Sequence, residues 1–237
     1  YEIHELLRQY GEEQLEASGS VEAVRDLHSH TYLTYVSERE AIVNEQGEYE
    51  FDSEFENIRV AWIWAIQQQS FDLVYHAAET LAWYCGFVDR EDDRESLLIL
   101  AIESLATHSE LETYWSHLVS VQLSLRPRET LKESDDLKRG LAIARQHNNL
   151  SDEARYSVIY ARIAIAQHHD YRKALDLFKY ALSLWQRVEY PGHISFMLHR
   201  IGYCYLALGE IDKGIDYTQQ SINVWLEMGN ATPIPIV

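Results

Sequence analysis

Eleven histidines, two cysteines and 38 acidic side chains give this 237-residue chain ample material for metal or acid–base chemistry, and spacing decides whether any of it is organised. His28 and His30 stand one residue apart, which on a helix turns them about 200° from each other and keeps both from one ion. His168-His169-Asp170 falls in an expected turn and could present ligands, yet no third and fourth partner stands at the fixed spacing of a zinc site. His4-Glu5 is not followed by a histidine three residues on, so the zinc-protease spacing fails. Ser53-Glu54 and the remaining carboxylates read as helix caps and solvent faces, and no nucleophile sits on a sharp glycine turn. Nor is there a glycine-rich loop ending in Gly-Lys-Ser or Gly-Lys-Thr to cradle phosphates with backbone amides and a lysine. The expectation is a region with no catalytic residues, no metal and no cofactor of its own.

Cys85 and Cys204 lie far apart, each inside an apolar helical stretch, and read as buried free thiols of a reducing compartment, with the cytoplasm as default. No signal peptide opens the sequence and no apolar run approaches the ~20 residues needed to span a bilayer. Residues 1–125 hold 25 acidic and 6 basic side chains, residues 126–237 hold 13 and 14, and the whole carries −18. So acidic a surface repels a nucleic-acid backbone, whose affinity depends on lysine and arginine displacing counterions. Direct nucleic-acid contact and membrane binding are not expected. The surplus reads either as a solvated face that aids solubility or as an acidic flank that docks on a basic domain of the same protein.

The elements that would position any binding residues show a period. Ala101-Ile102, Gly140-Leu141, Ala174-Leu175 and Gly214-Ile215 each pair a small residue with an aliphatic one, at spacings of 39, 34 and 40 residues. A period in that range marks stacked helical hairpins, since one hairpin cannot bury its apolar face alone. Tyr171, Ala174, Leu175, Phe178, Ala181, Leu182 and Trp185 recur forty residues on as Ile211, Gly214, Ile215, Thr218, Ser221, Ile222 and Trp225, offsets that describe one helix face. Gly209 can end the preceding helix with a left-handed residue at little cost, whereas His169 occupies the same place with a side chain in the way. Four hairpins follow, at 72–85 with 93–107, 111–125 with 131–147, 152–167 with 171–187, and 193–208 with 211–228. All six tryptophans are assigned mainly to the core.

This pattern resembles a tetratricopeptide repeat. Ile201-Gly202 with Tyr205 fits its first helix, and Gly214 with Ser221 its second; small residues belong there because helices approach to about 8–10 Å only where contacting side chains are slight. Arg162 stands where Gly202 stands, so Ala161 or Ala164 must provide the close contact in the preceding hairpin. The resemblance implies an all-α fold, a right-handed α-solenoid of tetratricopeptide-like hairpins over 71–237, preceded by an N-terminal helical segment over 1–70.

In that leading segment, Ile3, Leu6, Leu7 and Tyr10, then Val24, Leu27, Tyr32, Tyr35 and Val36, then Phe55, Ile58, Ala61, Trp62 and Ala65 define three amphipathic helices, the last with Asp52-Ser53 as a cap. A polar linker, 44–50, joins the second to the third. The run from Tyr1 to Tyr10, His30 with Tyr32, and the run from Glu54 to Ala65 together resemble the segment that follows the nucleotide-binding and winged-helix domains of bacterial STAND signalling ATPases, relatives of the maltose-regulon activator and of NB-ARC proteins. That resemblance spans about the first 107 residues and implies a fragment, opening inside a helix and closing on an interrupted linker at 231–237. It implies a non-catalytic sensor or scaffold arm, with any ATPase activity in an upstream nucleotide-binding domain whose switch the arm biases by binding one of two conformations better.

In such arrays the first helix of each hairpin lines the concave groove. On the forty-residue frame, Tyr156, Ile159 and Ile163, then Phe196, His199 and Tyr203, fall on that side, with Arg155 and Arg200 placed to grip a carboxylate. The expected partner is a protein, a peptide or a small-molecule inducer. The alternatives are a stand-alone scaffold holding a peptide or helix of another protein, and self-association through an uncapped terminal hairpin.

Overall fold

The computed structural model describes residues 5–39 and 51–228; the first four residues, the expected linker 44–50 and the tail 231–237 lie outside the described residues. All regular structure among the described residues is helical. The chain divides into two compact units, Tyr1–Thr107 and His108–Val237.

The first unit holds α1 (Glu5–Ser18), α2 (Val21–Ser37), α3 (Phe55–Gln67), α4 (Phe71–Phe87) and α5 (Glu91–Leu105). α2 packs on α3 and α4, and α3 and α4 both pack on α5. The buried face of α2 is Ser29, Leu33 and Val36, while Val24 and Leu27, expected on it, are exposed. Ser29 Oγ–H donates to the carbonyl of Ala61 at 2.8 Å, and the indole N–H of the fully buried Trp62 donates to the carbonyl of Leu97 at 3.0 Å. The second of these bonds ties the hairpin α4–α5 to the leading helices, and the compact unit ends at 107. Asp52 does not cap α3. Its carboxylate instead accepts the hydroxyl of buried Tyr84 at 2.5 Å, and burial together with that bond pushes the phenol's pKa up.

The second unit runs α6 (Glu112–Ser124), α7 (Asp135–Gln146), α8 (Leu150–His168), α9 (Tyr171–Val188), α10 (Pro191–Ala207) and α11 (Ile211–Glu227). Each of the three pairs forms a hairpin; α8 also packs on α6, and α9 on α10. Local chemistry sets the boundaries. Ser134, Asn149 and Asp170 accept the amides of Leu137, Asp152 and Lys173 and so cap α7, α8 and α9, and Pro191 opens α10 where its missing N–H is not needed. At the far ends, Asn148, His169, Glu189 and Gly209 take positive φ, from 50° to 79°. The turns after α7, α8, α9 and α10 therefore reverse through the same left-handed step although only one of these residues is a glycine.

Small residues draw α10 and α11 together as the repeat pattern requires. A Cβ on Gly202 would stand 2.7 Å from Thr218 Oγ1 and 3.0 Å from the carbonyl of Gly214, and one on Gly214 would stand 2.5 Å from Leu206 Cδ2. In the preceding hairpin Ala161, Ala164, Ala174 and Ala181 are buried in one core with Phe178, Trp185 and Ile201. Between α7 and α8, a Cβ on Gly140 would run into the ring and hydroxyl of Tyr156. α11 departs from α9 in one respect. Leu175 is 8% exposed and packs under α10, whereas its counterpart Ile215 is 61% exposed, and Ile211, Ile222 and Leu226 share that open stripe.

Candidate functional site

The first helices of the last two hairpins, α8 and α10, carry the residues that the repeat frame selects. On α8 these residues are interior. Tyr156 and Ile159 are fully buried and Ile163 nearly so, because α6, α7 and α9 surround this helix and leave its first turns no open face. The Tyr156 hydroxyl donates to the carbonyl of Ser116 at 2.6 Å, and the Ser116 hydroxyl donates to the carbonyl of Gly140 at 3.0 Å, a junction of three helices. Arg155 is buried too. One of its guanidinium nitrogens lies 3.1 Å from Asp152 Oδ1 and its head group stands 5.4 Å from the Trp185 ring centre, so it braces the fold. α8 thus holds Tyr156, Ile159, Ile163 and Arg155 in the interior of the unit, where the expected groove side was to be open.

On α10, Phe196, His199 and Arg200 are half-buried and Tyr203 is 42% exposed. The guanidinium carbon of Arg200 sits 4.6 Å from the centre of the Phe196 ring, a cation–π contact that fixes its orientation. Tyr203 meets Tyr171 of α9 edge to face at 6.1 Å, and the neighbouring Tyr203 hydroxyl holds the Tyr171 pKa up. Burial, and then the charge of Arg200, lowers the pKa of His199, which favours the neutral ring.

Two cations beside this group were not selected by the repeat frame. Arg162 of α8 reaches past the end of α6 and donates to the backbone carbonyls of Ser124 and, at 2.6 Å, Arg126. It thereby satisfies acceptors that a helix C-terminus leaves open. Arg128, in the short turn that follows, is half-exposed, with Glu129 3.8 Å away. Burial, followed by the charges of Arg200 and Arg128, pushes the Arg162 pKa down to about 10; burial and Arg128 likewise lower that of Arg200. The signal for Arg162 was its departure from Gly202 in the frame, which marks a position where a large cation replaces a packing residue.

Compared with known proteins, the chain matches no family model, no curated protein and no solved structure.

Elsewhere in the unit, Ser120, His117 and Asp152 have the residue types of a hydrolytic triad. The Ser120 hydroxyl, however, lies against Asp152 Oδ1 at 3.1 Å and the His117 carbonyl at 2.8 Å, so it is not aimed at the imidazole. His117 Nδ1 lies 2.9 Å from Asp152 Oδ1, and all three side chains are interior, which makes the set a cross-brace between α6 and α8. Burial works against the charged Asp152, but His117, Arg155 and Ser120 outweigh it and hold its pKa below the usual carboxylate range. Both cysteines are buried and free, and burial raises their thiol pKa values to about 12 for Cys85 and about 11 for Cys204, far from the range of a reactive thiolate. Among the described residues no cluster of three or more potential metal ligands occurs, and no helix is long and apolar enough to cross a membrane.

Proposed function

We propose that this chain is the sensor or scaffold region of a STAND-type signalling ATPase or transcriptional regulator, a tetratricopeptide-like right-handed α-solenoid preceded by a helical segment. It binds a protein, peptide or small-molecule inducer and carries no chemistry of its own. The observation that supports this reading is the serial packing of α6 to α11, in which Gly202 and Gly214 bring α10 against α11 at the positions a tetratricopeptide hairpin reserves for small residues. Such arrays receive ligands on the side lined by first helices, and here that side offers Phe196, His199, Arg200 and Tyr203, polar and aromatic groups held partly open on a rigid frame. Ligand binding would act on an upstream nucleotide domain through unequal affinity for two conformations.

Thermal-shift screening of the chain against metabolites and candidate peptides tests this reading, followed by Phe196→Ala and Tyr203→Ala. A confirmed ligand should lose affinity at least tenfold in one of the two variants. Unchanged affinity in both would reject the α10 face as the receptor surface.

A further inference from the structure

We propose that the open face of α11 is a second interaction surface, one that receives a basic amphipathic helix of a partner protein. No residue of the α10 receptor face takes part in it.

The forty-residue frame supplies the geometry. In α9, Tyr171, Leu175 and Leu182 pack into the core that α10 completes with Met197, Ile201 and Cys204. One repeat later the same positions are Ile211, Ile215 and Ile222, which are 60%, 61% and 41% exposed, and Leu226, at 58%, ends the row. The face that takes a helix in one hairpin therefore stands open in the next. From Ile211 to Leu226 the row runs about 22 Å at the α-helical rise, the length of a helix of about four turns. One edge of it is closed. Gly214 and Ser221, each one residue before a member of the row, are buried against α10, where Ser195 and Ser221 exchange hydroxyl-to-carbonyl bonds at 2.9 and 2.8 Å.

The other edge fixes the charge of the partner. Asp212, Asp216 and Glu227 each follow a member of the row by one position, about 100° further round the helix, and all three are exposed. Between Glu210 and Glu227 the only cation in the sequence is Lys213. It is held by Glu210 at 2.6 Å, and its ammonium stands 5.3 Å from the centre of the Tyr205 ring of α10, on the closed side. The open edge is thus acidic along its length. In α9 the corresponding positions are Arg172, Asp176 and Arg187, so the acidity belongs to α11 and not to the repeat. A helix whose apolar stripe is bordered by lysine or arginine matches both the row and its edge. A second copy of the chain does not, because a two-fold antiparallel pair of α11 helices would set both acidic edges on one side, where they repel.

The test is fluorescence anisotropy of the 237-residue chain with two labelled alanine-based helical peptides of about four turns, one carrying a leucine stripe flanked by lysines and the other glutamates in their place, at one ionic strength. The variants are Ile215→Ser with Leu226→Ser, Asp212→Asn with Asp216→Asn, and Tyr203→Ala, all at exposed positions where substitution leaves the fold intact. Saturable binding of the lysine peptide, at least tenfold tighter than that of the glutamate peptide and weakened at least tenfold by each α11 pair, supports the surface. Equal affinity in the natural chain and Ile215→Ser with Leu226→Ser overturns it, as does a glutamate peptide that binds as tightly or the absence of saturable binding. A dimer in sedimentation equilibrium that Ile215→Ser with Leu226→Ser dissociates would give the face to a second copy and overturn the choice of partner. Peptide binding that Tyr203→Ala abolishes and both α11 pairs retain would overturn the α11 surface and leave the α10 receptor face standing.

Discussion

The Nδ1 of His117 in α6 and the Oδ1 of Asp152 in α8 lie 2.9 Å apart inside the second unit, with the two side chains only 7% and 1% exposed. Asp152 is also the meeting point of Ser120, Asn149 and Arg155, so one carboxylate joins two helices and a helix cap. Removing it leaves its buried partners uncompensated, and Asp152→Ala should destabilise the protein by about 3–5 kcal/mol in urea unfolding.

The same residue sets a pH dependence. Its native pKa lies below the unfolded value of about 3.9, so its stabilisation is complete above that value and is lost as the pH falls through the native pKa. The stability gap between the natural chain and Asp152→Asn should therefore close as the pH falls below about 4. A gap that widened below that pH would show the sign to be wrong.

Leu175 and Ile215 occupy one position of the forty-residue frame in different surroundings, 8% and 61% exposed. Leu175→Ala should cost about 2–4 kcal/mol through lost burial and a cavity, and Ile215→Ala less than about 0.5 kcal/mol. Chemical denaturation of both variants checks the contrast, and equal costs would place a covering element over α11.

His169 and Gly209 end α8 and α10 with the same left-handed backbone, at φ of 50° and 79°. Gly209→Ala should lower stability by about 1 kcal/mol, and His169→Gly should raise it by a somewhat smaller amount, because the gain in the turn is partly offset by a freer unfolded chain. Melting temperatures of the two variants should move in opposite directions.

How much of this was legible in sequence follows from how each residue earns its place. Periodicity located α8 to α11 closely, because Ala174 and Ala181 sit with Phe178 and Trp185 on the buried face of α9 and recur as Gly214 and Ser221, the buried residues of α11. Exposure on the proposed receptor side was only half legible. Tyr156 and Phe196 share a position in the frame, but Tyr156 is sealed by α6 and α7 while Phe196 is not, and burial from three sides leaves no mark on a helix's own period. Arg128 lies in an irregular turn that only tertiary contact brings to α8, so nothing local announces it. That α4 and α5 pack with the leading helices is illegible for a related reason: they look like any other hairpin, and the bond from Trp62 to Leu97 spans 35 residues.

Gly140 and Tyr156 fill one volume between α7 and α8, the absent side chain of the first being occupied by the ring of the second. Gly140→Ala should cost about 1–3 kcal/mol by overpacking, and pairing it with Tyr156→Leu should recover part of that loss in a double-mutant cycle. Over evolutionary time neither position is free to drift by itself. Descendants of a common ancestor that have gained bulk at 140 should have shed it at 156, so the two columns of any future alignment ought to change in step.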